Sequence, residues 1–173
     1  IGRGVPSGQN TWTFTIIMRT DSISTPVKLD HKLSGFNATL SGDSLVFCIG
    51  ARGDHGEIEN KNNNSPNMRN TPLTTNIYKI PARNAGIIQL RNDSVWLANS
   101  GFLYAMGIRN TYDLDYTRDG KLFGVENSGD YDHNEEMNWL RRGRHYGFPW
   151  VMGSTRNPQQ YPSFNPATDP RIP

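Results

Sequence analysis

The feature that most constrains the fold of this chain is a series of short β-forming runs separated by turn signals. Phe36–Ile49 contains two such runs on either side of the turn sequence SGD at 41–43. Tyr112–Tyr116 and Lys121–Val125 flank a second turn sequence, RDG, at 118–120. Gly and Asp between apolar, β-branched or aromatic runs are typical of hairpins. The sequence therefore predicts an all-β fold.

Other segments extend this pattern. We expect strands at Thr11–Arg19 and Thr75–Ile80, and a further hairpin that joins Gly86–Leu90 to Ser94–Ala98 through RND at 91–93. The interval 52–72 is polar and rich in Asn, which predicts a long surface loop. Only Glu135–Arg142 has helical character.

Three similar segments within the sequence restrict the architectures that the chain can adopt. "NATLSGDSLVFCIG" and "DLDYTRDGKLFGVE" share one order of strand, turn and strand, and "GIIQLRNDSVWLANS" lies between them. Their spacing predicts about three blades of a β-propeller, with residues 1–173 as a single partial domain. Closed propellers have about four to eight blades, so we expect further chain segments or a second copy of the chain to complete the ring. A β-sandwich is the other architecture that evenly spaced hairpins favour.

Composition excludes several function classes. The net charge is +2, and the densest basic run, Arg141–Arg142 with Arg144, follows two glutamates, so we expect no nucleic-acid partner. No apolar run approaches the roughly 20 residues of a membrane span. Cys48 is the only cysteine, which excludes an intramolecular disulfide. Its apolar neighbours predict a buried thiol that packs as a small hydrophobic side chain.

Three places carry residues suited to chemistry. His31 follows Asp30, and a histidine can accept a proton near neutral pH, although such a pair is also common on surface loops. Arg109 precedes Asn110, and its planar guanidinium suits a carboxylate or a developing oxyanion; an arginine that braces a turn is the alternative. The interval 126–138 contains five carboxylates, which are ligands that Ca²⁺ prefers, but its spacing is not that of an EF-hand, and acidic loops without metal are common.

Three stretches taken in order resemble one family. "LDHKLSG…LSGDSLVFCIG", "YAMGIRNTYDLDYTRDGKLFGVENSG" and "NEEMNWLRRGRHYGFPW" are similar to the soluble quinoprotein glucose/sorbosone dehydrogenases. The resemblance implies a six-bladed β-propeller that carries pyrroloquinoline quinone (PQQ) and calcium. It also implies a secreted protein, periplasmic or extracellular, that oxidises a small sugar and passes the electrons to an external acceptor.

The resemblance assigns roles residue by residue. His31 matches the general base that takes the proton from the anomeric hydroxyl of the sugar, and Asp30 matches a residue near the substrate. Arg109 matches the arginine that contacts the quinone and stabilises charge on its reduced oxygen, and Asn110 matches a neighbouring cofactor contact. Arg52 stands in "ARG" at 51–53, where the family has Asp-Gln-Gly, and it is the expected substrate-binding residue at the place of a substrate-side glutamine. The alternatives are that this glutamine contact is lost or that "GDHG" at 53–56 supplies it after a shift.

The metal residues follow in the same way. Ser128 and Gly129 fall where the family uses two backbone carbonyls, from Gly-Pro, to hold the cofactor's calcium. Glu136 matches a glutamate that binds a structural calcium in some members, and an ion pair with Arg141 or Arg142 is the alternative for that side chain. The expected reaction is hydride transfer from the anomeric carbon to the quinone. The competing hypotheses are a non-catalytic β-propeller that serves as a binding or structural module, and a glycan-binding β-sandwich.

Overall fold

The computed structural model describes residues 1–23, 31–53, 58–59, 68–129 and 134–157. Within these ranges the chain is mostly β-strand, with one short helix, so the predicted all-β class is confirmed. The strands are β1 Gly2–Gly8, β2 Thr11–Ile16, β3 Met18–Thr20, β4 Leu33–Ala38, β5 Ser44–Ile49, β6 Ile58–Glu59, β7 Met68–Arg69, β8 Asn76–Pro81, β9 Ile88–Leu90, β10 Leu103–Met106, β11 Thr111–Tyr116, β12 Leu122–Glu126, β13 Glu136–Leu140, β14 Arg144–His145, β15 Val151–Met152 and β16 Thr155–Arg156; helix α1 is Ser94–Asn99.

The largest sheet has the strand order β14-β10-β8-β5-β4. Strands β4, β5, β8 and β10 are antiparallel neighbours in chain order, and β14 adds to β10 in parallel. The interior strand β5, between β8 and β4, has the sequence SLVFCI, and its last four residues are buried. A continuous apolar run is expected where both faces of a strand are covered. Phe47 and Ile49 belong to one apolar cluster, and Val46 and Cys48 to another.

The second sheet is the antiparallel order β11-β12-β13. The β11–β12 reversal contains Gly120 with a φ of 83°, a conformation that glycine adopts without steric cost. The buried face of this sheet packs on the large sheet. The shared cluster consists of Val46, Cys48, Ile77, Ala105, Ile108, Leu114, Leu122 and Leu140. Two side-chain hydrogen bonds also join the sheets, from Ser34 Oγ to Thr111 O at 2.9 Å and from Asn37 Nδ2 to Leu114 O at 2.8 Å.

The opposite face of the large sheet carries the other cluster, which consists of Met18, Phe47, Ile49, Leu73, Tyr78, Ile80, Leu90 and Leu97. Tyr78 is fully buried, and its hydroxyl donates to Leu73 O at 2.8 Å. Burial raises the pKa of this phenol. The large sheet is therefore a middle layer, covered on one side by the second sheet and on the other by α1, β3 and β9.

The two hairpins predicted at 36–49 and 112–125 are confirmed, as are the strands at 11–19 and 75–80, the former with a break at Ile17. The hairpin predicted at 86–98 is wrong. Its first half is β9, which pairs in parallel with β3, and its second half is α1. Asp93 adopts an extended conformation at the helix N-cap and accepts a hydrogen bond from Trp96 N at 2.8 Å. That capping bond makes this residue a helix start rather than a turn.

The helical character expected at Glu135–Arg142 is also wrong, because residues 136–140 form strand β13. Met137 and Trp139 are exposed on one face, while Glu136, Asn138 and Leu140 are more buried on the other. That alternation is the two-residue period of a strand. The guanidinium of Arg141 and the ammonium of Lys121 lie over the exposed indole of Trp139, at 4.9 and 5.7 Å from the ring centroid.

The loop predicted at 52–72 lies only partly within the described residues. Two short strands in it, β6 and β7, pair in antiparallel fashion, so the interval contains regular structure as well as loop. Hairpin β1–β2, whose first strand was not expected, is exposed along its length. Among the described residues, no helix is both long and apolar enough to cross a membrane.

Candidate functional site

His31 lies just before β4 and is half-buried. Its Nδ1 is 3.0 Å from the backbone oxygen of Ala51. A carbonyl oxygen only accepts hydrogen bonds, so Nδ1 must carry the proton in this contact. In the neutral ring, Nε2 is then the nitrogen with the basic lone pair. A single backbone contact thus fixes the tautomer that a general base requires.

Gly50 brings the predicted site residues together. A Cβ placed on this glycine would lie 2.6 Å from His31 Cβ, 2.9 Å from Arg109 O and 3.5 Å from Asn110 Oδ1. The next residue continues the contact, because Ala51 N donates to Arg109 O at 2.7 Å. Residues from three separate segments, at 31, 50–51 and 109–110, therefore meet at a point where only a hydrogen atom fits. The structure thus packs the His31 Cβ, the Arg109 backbone and the Asn110 side chain around Gly50.

Arg109 is almost completely buried, with 4% of its surface exposed. Its Nη1 donates to Asn127 O at 3.0 Å, and its backbone N donates to the carboxyl Oε1 of Glu126. A buried guanidinium must be hydrogen-bonded to be tolerated in the interior. The alternative interpretation of Arg109 as a residue that braces a turn accounts for its bond to Asn127 O.

Glu126 is a site residue that the sequence analysis did not single out. It lies at the end of β12, and Leu122, Gly124 and Glu126 are the buried positions of that strand. The two-residue period therefore could have shown that its carboxyl faces inward. Burial and, to a smaller extent, the nearby carboxylate of Glu136 raise the pKa of Glu126 to about 8, against the opposing effect of the Arg109 N–H.

Glu126 and Glu136 face each other across the β12–β13 ladder and line the same cavity. The cavity is also lined by Asn127, Ser128, Asn134, Tyr146, Phe148, Val151, Met152 and Gly153. Glu136 accepts hydrogen bonds from Gly153 N through Oε1 and from Asn138 Nδ2 at 2.8 Å through Oε2. In the described structure, Glu136 is thus tied to β13 and to the turn between β15 and β16. Arg141 and Arg142 stack on aromatic rings and lie outside these contacts.

The expected calcium carbonyls lie at the rim of this region. Ser128 donates from both its N and its Oγ to Glu135 Oε1, each at 3.3 Å. Ser128 and Gly129 are half-buried. Among the described residues, no group of three or more His, Cys, Asp or Glu side chains is arranged to hold a metal ion. A site made from backbone carbonyls does not need such a group, so Ser128, Gly129 and Glu136 stay predictions.

The two substrate-side residues differ in what is described. Asp30 lies outside the described residues. Arg52 is buried, and it is anchored to the segment after β7: its backbone N donates to Asn70 Oδ1 at 2.8 Å, and its Nη1 donates to Arg69 O at 3.0 Å. These bonds attach the chain that follows Ala51 to residues 69–70. The role of Arg52 toward a substrate stays a prediction.

No protein-family model matches this chain, and no curated protein matches it significantly. The resemblance to the quinoprotein dehydrogenases therefore depends on the quoted motifs alone. Two of these motifs, around His31 and around Arg109–Asn110, are about 80 residues apart in the chain. They lie in contact in the folded protein.

Proposed function

We propose that this chain carries part of the active site of a PQQ- and calcium-dependent sugar dehydrogenase. The observation that carries the proposal is the His31–Ala51 hydrogen bond beside Arg109 and Asn110. It supplies a base of defined tautomer in a region that also contains the Arg109 backbone and the Asn110 carboxamide. These are the groups that oxidation of a hydroxyl by a quinone needs within one site.

The side chains of Arg109 and Asn110 carry hydrogen-bond donors of the kind that a quinone needs. A guanidinium and a carboxamide both donate hydrogen bonds, and quinone oxygens accept them. Arg109 and Asn110 would hold the cofactor, and the backbone carbonyls of Ser128 and Gly129 would hold its calcium, since Ca²⁺ prefers oxygen ligands. When bound, PQQ with its calcium supplies the two-electron acceptor for the hydride that leaves the anomeric carbon.

The chain's own residues contribute the proton chemistry and the electrostatics. His31 Nε2 accepts the proton of the anomeric hydroxyl, and the bond from Nδ1–H to Ala51 O stabilises the ring as it becomes positively charged. Arg109 offers a buried positive charge to an oxygen that becomes negative. It is held in place before the reaction, which is how such stabilisation is most effective.

The proposed architecture is a β-propeller of the quinoprotein type. Strands β4, β5, β8 and β10 form an antiparallel meander in chain order, and β11, β12 and β13 form the next one. Consecutive meanders packed face to face are the pattern of adjacent propeller blades. The segment from β9 to α1, which the sequence analysis compared with a blade, is not a hairpin.

The test is reconstitution followed by turnover. Purified protein is titrated with PQQ and Ca²⁺, cofactor uptake is followed by absorbance, and dye reduction is measured with a panel of aldoses. We expect uptake and sugar-dependent dye reduction. We expect His31→Ala to lower kcat by about 10²- to 10⁴-fold, the usual contribution of a general base, with cofactor uptake retained.

The matched control is Lys32→Ala, which changes the exposed neighbouring residue and should leave kcat within about twofold. Absence of both uptake and turnover in the wild-type protein would overturn the enzyme hypothesis. Wild-type activity in His31→Ala would remove the assigned base. A non-catalytic binding module predicts no quinone uptake and no effect of the His31 substitution.

A further inference from the structure

The segment that carries Arg109 and Asn110 is not part of a strand. Residues 107–110 connect β10 to β11. Their backbone geometry is therefore not set by a regular hydrogen-bonded ladder, and other contacts must fix it. This matters because a displacement of about 1 Å of a positioned group can lower the rate by about a hundredfold.

Ala51, Thr75 and Phe148 contribute backbone hydrogen bonds to this segment, and residues 126–127 supply further contacts at Arg109 and Asn110. Arg109 N donates to Glu126 Oε1, Arg109 Nη1 donates to Asn127 O at 3.0 Å, and Asn127 N donates to Asn110 O at 3.2 Å. The end of β12 thus holds both the backbone and the side chain of the segment. Asn127 makes two of these bonds with backbone atoms, which substitution preserves. Glu126 makes its bond with a side chain, so it is the contact that a mutation can remove.

Glu126 is placed to keep this contact dry. It is 7% exposed, and it is paired with Thr111 on one neighbouring strand and with Glu136 on the other. A hydrogen bond shielded from water is costly to lose, because the donor left behind cannot turn to solvent. Because Glu126 lies in a dry site, its bond with Arg109 N requires an acceptor oxygen on the side chain, and it does not require a negative charge there.

We infer that Glu126 is a positioning residue, whose side-chain oxygen fixes the Arg109 backbone and so aims Arg109 and Asn110 at the cofactor. The inference rests on the proposed function for the identity of that cofactor. It adds a residue that touches neither substrate nor quinone and acts through the segment at 107–110. It also predicts which substitution is tolerated. Gln offers the same oxygen at the same reach, whereas Asp falls one methylene short and Leu has no acceptor.

The experiment compares Glu126→Gln, Glu126→Asp and Glu126→Leu with the wild-type protein. The control is Val125→Thr, which changes the adjacent residue on the exposed face of β12. The first measurement is hydrogen–deuterium exchange in the peptide that covers 107–111, with the peptide covering 77–80 as an internal reference for global unfolding. The second is the Kd for PQQ in the presence of Ca²⁺, and the third is kcat and KM with an aldose.

We expect Glu126→Asp and Glu126→Leu to raise exchange in 107–111 by about tenfold or more, the loss of one buried hydrogen bond, with little change in 77–80. PQQ binding should weaken about tenfold in both, and kcat should fall more than KM changes. Glu126→Gln and Val125→Thr should stay within about threefold of wild type in every measurement. Should Glu126→Leu fail to fold, the Gln and Asp pair carries the comparison.

The inference would be overturned by unchanged exchange at 107–111 in Glu126→Asp, or by a Gln variant as impaired as the Asp variant. In either case, PQQ binding by the wild-type protein would still support the proposed function. A wild-type protein that takes up no PQQ would instead overturn the proposed function, together with the role assigned here to Glu126.

Discussion

His31 and Cys48 are the two reactive side chains whose surroundings decide their chemistry. The Ala51 carbonyl selects the protonated nitrogen of His31 and leaves its other nitrogen basic. Cys48 lies in the middle of the large sheet with no exposed surface. Burial raises the pKa of its thiol to about 12, so the nucleophilic thiolate is suppressed. The contact with Ala51 thus leaves His31 with a basic nitrogen, and complete burial makes the Cys48 thiol unreactive.

The Cys48 environment predicts a pH dependence of stability. In the unfolded chain this thiol ionises near pH 8.5, whereas the folded pKa is about 12. The folded state therefore keeps a proton that the unfolded state releases. The stabilisation is complete below about pH 8.5 and is lost as the pH rises toward 12. We expect urea midpoints to fall over that range, and to fall less steeply in Cys48→Ala.

A second readout tests the same burial directly. Iodoacetamide at about pH 8.5 should leave the native protein unmodified, and should alkylate it completely in concentrated guanidinium chloride, as judged by intact mass. Rapid alkylation under native conditions would contradict the packing of β5 described above.

At the level of elements, one short segment can carry signals for two different structures, and its hydrogen bonds determine which structure forms. The sequence RND at 91–93 is compatible with a turn, but Asp93 also suits a helix N-cap, and its bond to Trp96 N commits the following residues to α1. Asn92 makes two hydrogen bonds with distant segments. Its side chain accepts from Leu73 N, and its backbone N donates to the carboxylate of Asp21. Contacts from outside the segment thus exclude the hairpin.

The cap predicts a measurable loss of stability. Asp93→Ala removes the acceptor for Trp96 N and should lower the free energy of unfolding by about 1 kcal/mol. Asp93→Asn keeps an acceptor and should lose only a few tenths of that. Urea unfolding followed by tryptophan fluorescence measures both. Equal stability of the Ala variant and the wild type would show that α1 is held by its packing against the core alone.

For the whole molecule, the large sheet is a layer with an apolar cluster on each face. Leu114 of the second sheet lies in the cluster shared by the two sheets and is 2% exposed. Because that cluster contains residues from both sheets, neither sheet can lose its packing without exposing the other. The molecule is expected to unfold as one cooperative unit over these two sheets.

Leu114→Ala tests that expectation. A cavity between the sheets should cost about 2–5 kcal/mol of unfolding free energy. Circular dichroism and tryptophan fluorescence should report the same, lower urea midpoint. Tyr112→Thr, on the exposed face of the same strand, should change stability by no more than about 0.5 kcal/mol. Separate transitions for the two probes would contradict a shared core.

The parts of the fold that follow from sequence are those with strong local signals. The SGD and RDG turns place Gly42 and Gly120 at positive φ and define their hairpins without reference to the rest of the chain. Strand β13 was missed because Leu140 beside Trp139 suggested a helical face, whereas pairing with β12 makes the alternation decisive. His31 and Arg109 were singled out by residue type and given roles by the resemblance, whereas the contact of Glu126 with Arg109 N is a tertiary contact that no local pattern predicts.

Two of the side-chain hydrogen bonds between the sheets have a mechanical consequence. Ser34 and Asn37 are three residues apart, and so are their acceptors, Thr111 and Leu114. Sliding one sheet over the other by a single residue would break both bonds at once. Together they therefore resist shear between the sheets. His31 lies just before β4, and Arg109 lies just before β11, which are the two strands that these bonds join. Thermal motion should therefore carry the segments that begin at His31 and at Arg109 together, with the separation of their backbones kept nearly constant.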